Sequence, residues 1–200
     1  MDAARPLEGL SWAQVRKHGQ QMAAARPASE IVLLAEQCLQ SSAAKERQLG
    51  AYLLGFTEGD RLESLATLRR LVVPDEDWEV QEALAQAFDE CCAALGYEAA
   101  LPTIDAWLAD PHPNARRAVS EGLRPWTAKR RTYFVAHPEE AIARLAALRR
   151  DPSSYVRHSA GNALRDIRRR LPELVDAETA RWDLDDPLVQ FTYRRVLGKA

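Results

Sequence analysis

A fourteen-residue pattern occurs twice in the chain and is echoed a third time. The run Asp110-Pro111-His112-Pro113-Asn114-Ala115-Arg116-Arg117-Ala118-Val119-Ser120-Glu121-Gly122-Leu123 returns 41 residues later, from Asp151 to Leu164. A looser copy begins 35 residues upstream and runs from Asp75 to Phe88. Self-similarity at a spacing of roughly 35–45 residues marks one supersecondary unit used repeatedly. A single unit cannot bury its apolar face alone, so successive units stack. The expected fold is all-α, with helical pairs stacked into a curved α-solenoid.

Apolar residues recur at helical spacing along nearly the whole chain, and no segment keeps up the alternation of a strand. The pattern predicts an N-terminal helix at about 10–25, and helical pairs at about 28–57, 59–95, 97–124 and 138–170. A C-terminal cap is expected at about 176–198. Ser29 is placed as an N-cap, and Gly96 as the left-handed stop after the helix ending near Leu95. Pro111, Pro113, Pro138 and Pro152 fall at helix starts, where a missing N–H is harmless. The stretch from Arg124 to Phe134 reads as irregular, with aromatic residues flanking a basic cluster. At 200 residues the chain reads as one domain, large enough for a sizeable core.

Register turns the copies into aligned helices. With Val80, Ala115 and Val156 taken as equivalent, offsets 0, 3, 4, 7 and 8 are apolar or small in all three helices. That is the buried stripe of an amphipathic helix. Offsets 2, 6 and 9 fall on the opposite side and read Glu82, Gln86, Asp89; Arg117, Glu121, Arg124; and His158, Asn162, Arg165. In a helical-pair solenoid the second helix of each pair lines the inner surface. This places the nine side chains toward a common groove, although the far side of any amphipathic helix is polar. Offset 5 is small throughout (Ala85, Ser120, Gly161), which permits close approach of a helix or ligand. Arg116 and Arg157 follow the apolar residue beyond a turn Asp, a pattern that reads as an Asp–Arg ladder between repeats.

Composition removes several functional classes. No apolar run approaches the roughly 20 residues a membrane helix needs, and the first residues lack a signal-peptide core, so a cytoplasmic protein without membrane association is expected. Cys38, Cys91 and Cys92 form no C-x-x-C spacing, and His18, His112, His137 and His158 show no metal-ligand spacing, so no metal is expected. The net charge of −2 conceals a polarity: −7 over residues 1–100, +5 over 101–200 and +9 over 111–170. Such a distribution marks either a polyanion-binding surface or solvated helix faces.

Asp77-Trp78-Glu79-Val80-Gln81-Glu82 opens the first of the three inner helices. Here the chain resembles the DNA alkylation repair family with HEAT-like repeats, the AlkD-type DNA glycosylases, which carry a Trp-x-x-x-Asp element on an inner helix. Trp78 and Glu82 match that spacing, with Glu in place of Asp. The likeness continues through Pro113-Asn114-Ala115-Arg116-Arg117, Ser120 to Trp126 and Tyr155-Val156-Arg157-His158, and covers most of residues 28–175. It implies HEAT-like repeats around a groove that grips damaged duplex DNA through its backbone, with no metal or organic cofactor.

The chemistry of the pair is coherent. Residues at i and i+4 share a helix face, so one patch offers an indole and a carboxylate. A cationic alkylated purine is already a good leaving group, and breaking its glycosidic bond builds positive charge on the sugar. A carboxylate stabilises that charge and orients water, while an indole attracts the cationic base. Trp78 and Glu82 are the central catalytic candidates and Trp126 is auxiliary; Asp89 and Glu121 are alternative carboxylates. Packing remains open for Trp78 and Trp126, and plain exposure for Glu82, while Trp12, Trp107 and Trp182 read as core. Phosphate contacts fall to Arg117, Arg124, Lys129, Arg130, Arg131, Arg165, Arg168 and Arg169, with His158 and Asn162 beside them.

The reading that follows is a monomeric repair protein that removes cationic alkylated purines, of the 3-methyladenine or 7-methylguanine type, from duplex DNA. Two alternatives stand beside it. One is a non-catalytic repeat scaffold that binds a protein partner. The other is a DNA-damage binder without chemistry.

Overall fold

The computed structural model describes residues 7–199, which are all-helical apart from turns and connections. The order is α1 (Trp12–Ala25), α2 (Ala28–Leu39), α3 (Ala44–Phe56), α4 (Arg61–Leu71), α5 (Trp78–Leu95) and α6 (Leu101–Leu108). It continues with α7 (Pro113–Gly122), α8 (Thr132–Ala136), α9 (Pro138–Ala147), α10 (Ser154–Arg168), α11 (Pro172–Thr179) and α12 (Pro187–Val196). Among the described residues no helix is long and apolar enough to cross a membrane.

The chain forms two compact units, one reaching Ala94 and the other starting at Leu95. In the first, α3 is central: α1, α2 and α4 pack on it. It also meets α5 closely, because a Cβ on Gly55 would lie 2.8 Å from the Ala87 Cα. Only a residue without a side chain allows that approach. In the second unit, α6 pairs with α7 and α9 with α10. Helix α10 packs against both α7 and α12, and α9 against α11.

The core follows the register. Val156, Ala160, Ala163, Leu164 and Ile167 of α10 have no exposed surface. Burying each larger aliphatic side chain contributes about 1.5–3 kcal/mol. The Asp–Arg ladder is present in both units. Arg47 forms two hydrogen bonds to Asp75, at 2.6 and 3.2 Å, and donates to the Ser41 and Ser42 carbonyls. Arg116 repeats this arrangement with Asp151, at 2.6 and 2.8 Å, and with the carbonyls of Asp110 and Pro111. Arg157 clasps the carbonyls of Asp151 and Pro152 in the same way. Gln81 stands where the other copies carry Arg, and its amide donates to the carbonyls of Val72 and Asp75 at 2.8 Å.

Several sequence expectations are corrected. Ser29 lies inside α2, whose N-cap is Pro27 with no side-chain hydrogen bond. The pair expected from about 97 begins its first helix at Leu101, with Pro102 in the first turn. The stretch from Arg124 ends in the short helix α8 and is not irregular throughout. The C-terminal cap is two helices, and α11 begins at Pro172, ahead of the expected 176. Only Val175 and Thr179 of α11 are buried, so its apolar period is too faint to register.

Candidate functional site

In the first unit the candidate patch lies on α5. Asp77 accepts hydrogen bonds from the Glu79 and Val80 amides at 2.8 and 3.3 Å, which sets the helix start. Trp78 in the first turn is 66% exposed, too open for a core role. Glu82, one turn later, is half-buried, as is Gln86 one turn beyond it. The flanking carboxylates are neutralised within the unit: Glu79 pairs with Lys45 at 2.8 Å, and Glu90 with Arg16 at 2.7 Å. Beneath them lies Tyr52 of α3, 1% exposed. Burial pushes its phenol up to about 12; Arg16 opposes the rise and Glu82 adds to it. The phenol therefore stays protonated beside the carboxylates. The patch combines an open indole with a carboxylate one turn away, a setting suited to a cationic planar group.

Asp89 does not compete for the carboxylate role at the surface, since it is 5% exposed. Trp12 differs from its expected core placement and is 50% exposed, whereas Trp107 and Trp182 are buried.

In the second unit three expected ligand contacts turn inward. Trp126 has no exposed surface; its indole N–H donates to the Ser120 carbonyl at 3.2 Å and its ring lies 4.9 Å from that of Phe134. It is a packing residue and offers no open face to a base. Arg117 is 5% exposed, its guanidinium 4.9 Å from the centre of the Tyr155 ring on α10. Arg131 is equally buried and donates to the carbonyls of Gly122 and Pro125, bracing the connection before α8.

Glu121 is a structural carboxylate. One oxygen accepts from Arg124 at 2.6 Å and the other from the Ser159 hydroxyl at 2.8 Å. Ser120 in turn donates to Ser159 at 2.9 Å. With both oxygens engaged, Glu121 has little capacity to hold a nucleophilic water. Arg124 also pairs with Asp166 at 2.7 Å, which ties the end of α7 to α10. Arg168 pairs with Asp176 at 2.5 Å, and the exposed Arg169 with Asp166 at 3.3 Å.

The remaining candidates stay at the surface. Lys129 and Arg130 are exposed in the connection after α7, and His158, Asn162 and Arg165 lie along one face of α10. The His158 and Asn162 side chains are 3.3 Å apart. Burial and then the charge of Arg195 hold His158 below the ordinary histidine value; Glu121 opposes this, and Arg165 and Arg124 add to it. Arg195 of α12 escaped the sequence reading because α12 lies outside the repeated segment and has no register. The one hint was Gly161, the small residue against which Arg195 packs.

Among the described residues no group of three or more His, Cys, Asp or Glu side chains could hold a metal ion.

Comparisons agree with this architecture. The crystal structure of AlkD2 from Streptococcus mutans superposes with a TM-score of 0.89 at 39% identity, covering 94% of this chain and 89% of that one. The crystal structure of smu.31 from Streptococcus mutans UA159 gives 0.90 at 39% identity, covering 96% and 94%. The alkylpurine DNA glycosylase AlkC of Pseudomonas fluorescens, bound to DNA containing an abasic site analog, shares the fold. Its TM-score is 0.52 at 22% identity, over 94% of this chain and 61% of that one. Protein YhaZ of Bacillus subtilis is 30% identical over 112 residues, a match spanning 52% of this chain but only 31% of that relative. The family described as DNA alkylation repair enzyme matches residues 1–177. The fold is therefore the all-α, HEAT-like repeat arrangement, and the chain belongs to the DNA alkylation repair enzyme family.

Proposed function

We propose that the protein is a DNA glycosylase that removes cationic alkylated purines from duplex DNA, acting as a monomer in the cytoplasm. The observation that carries this reading is the pairing on α5 of an indole 66% exposed with a carboxylate one turn away. Trp78 receives the cationic base or the sugar beside it. Glu82 faces the positive charge that grows at C1′. As the C1′–N bond breaks, its electron pair passes to the purine and neutralises it. Water adds to C1′, and its proton passes to Glu82 or to solvent, leaving an abasic site. The departing base needs no general acid because it is already cationic.

Surface cations of the second unit, Lys129, Arg130, Arg165 and Arg169 among them, hold backbone phosphates without reading sequence. Family membership supports DNA repair as the setting, and the fold shared with a DNA-bound alkylpurine glycosylase supports duplex DNA as the partner.

The test is release of free 7-methylguanine from methylated duplex DNA by the purified chain, followed by chromatography, together with a salt titration of binding to undamaged duplex. Base release together with affinity that falls steeply with salt is the expected result. Binding without release would leave a damage binder without chemistry. Absence of binding at low salt would leave the scaffold reading.

A further inference from the structure

We propose that His158, Asn162 and Arg165 of α10 and Arg195 of α12 form a site for one phosphodiester of the duplex backbone, held where the two helices pack together. This rests on the DNA-binding reading above. It adds a binding residue from the C-terminal helix and a stoichiometry of one phosphate.

The geometry begins at Gly161. A Cβ there would lie 2.6 Å from the Arg195 Cβ and 3.0 Å from the Thr192 carbonyl oxygen, so α10 and α12 touch at this point with no side chain between them. Gly161 is three residues after His158 and four before Arg165, so all three share one helix face. The Arg195 stem therefore starts between the His158 and Arg165 turns of α10. Arg165 lies against the end of α12, its Cδ 3.6 Å from where a Gly198 Cβ would stand. Asn162 and His158 complete the patch, their amide and ring nitrogens 3.3 Å apart. If the amide donates to Nδ1, the ring carries its proton on Nε2, ready to donate to an anion.

The charges at this point lack carboxylate partners. Arg116, Arg124, Arg144 and Arg168 of the same unit are all paired with Asp or Glu. Among the described residues, Arg165 and Arg195 make no ion pair; the Arg195 guanidinium lies 5.3 Å from the centre of the Phe191 ring, which the Arg157 guanidinium also faces at 5.1 Å. The Arg165 Nε is buried and has no hydrogen-bond partner in the protein. The nearby carboxylates, Glu121 and Asp166, are engaged by Arg124. Two guanidinium groups thus sit beside a histidine whose charged form they disfavour, an arrangement that an anion relieves. Guanidinium forks match the oxygens of a phosphodiester, and donors from two helices fix its position.

The test uses the full chain and a short undamaged duplex, with affinity measured across a salt series. The double variant Arg165→Gln/Arg195→Gln is expected to lower the slope of log affinity against log salt by about 0.9, the value for one phosphate contact. Arg195→Lys should retain the slope. Arg194→Gln, which removes a solvent-facing neighbour, should leave it unchanged; an equal loss there would reduce the effect to net charge and overturn the site. Circular dichroism confirms that the helices persist in each variant. An unchanged slope in the double variant, with wild type still binding, rejects this site alone. Failure of wild type to bind duplex rejects the DNA reading and this site together. The His158 ring resonances provide a second readout: they should shift on adding duplex and not on adding inorganic phosphate at equal phosphate concentration. A response to inorganic phosphate alone would assign the patch to a free anion and overturn the proposal.

Discussion

The Arg116 guanidinium grips the Asp151 carboxylate through two hydrogen bonds, at 2.6 and 2.8 Å, across 35 residues of sequence. The pair joins two successive repeats and is nearly closed to water, with side chains 11% and 4% exposed. Asp151 also accepts the Ser153 amide at 2.9 Å, and Arg116 holds two turn carbonyls. Arg116→Ala would strand a buried carboxylate, so a loss of about 3 kcal/mol in urea unfolding is expected. Arg168→Ala removes an exposed pair and should leave the midpoint nearly unchanged. Equal effects from the two variants would mean that burial does not set the strength of the ladder.

Glu82→Gln keeps the size and reach of the side chain but removes its charge. Base release from methylated duplex should fall about 10²–10³-fold, the usual cost of losing one electrostatic stabiliser of a transition state. Trp78→Ala should also slow release. Since the indole is 66% exposed, unfolding should move by less than about 0.5 kcal/mol. Wild-type release rates in both variants would remove α5 from the chemistry.

Trp126 gives the opposite prediction. Its indole has no exposed surface and donates to the Ser120 carbonyl. Trp126→Ala should cost about 3–5 kcal/mol through the cavity it leaves. Trp126→Phe should cost less and leave the rate of base release per folded molecule unchanged. A selective loss of rate in Trp126→Phe, with stability retained, would return this residue to the site.

His158 supplies a pH signature. Burial and Arg195 keep its folded value below the ordinary one, against the pull of Glu121 and with help from Arg165 and Arg124. The unfolded chain therefore binds the proton first as pH falls. This residue's contribution to stability is present above the unfolded value, about 6.5, and is lost as pH falls toward the lower folded value. Phosphate binding has the reverse sign: an anion favours the charged ring, so duplex affinity should rise through the same window. His158→Gln should flatten both trends, which titration by fluorescence anisotropy and by thermal unfolding can check.

Much of the fold was legible in the sequence. Helices α4, α5 and α7 fall within the helical pairs expected at about 59–95 and 97–124, because a strong apolar period and turn residues agree there. Gly96 adopts the left-handed backbone expected of a helix stop, with φ of 84°. Helix α11 was not legible because little of it is buried.

Repeat spacing and apolar period determined, from sequence alone, the helical pairs, the buried stripe of each inner helix and the Arg116–Asp151 ladder, because these depend on order along the chain. Exposure on the polar side was decided only by tertiary structure. A helical period measures each helix against one core, but an inner helix also has neighbours at its flanks. Thus α10 covers Arg117 with Tyr155, and the chain after α7 folds Trp126 and Arg131 inward. The contact of α12 with Gly161 likewise brings Arg195 beside His158, a meeting that no repeat encodes because α12 lies outside the register.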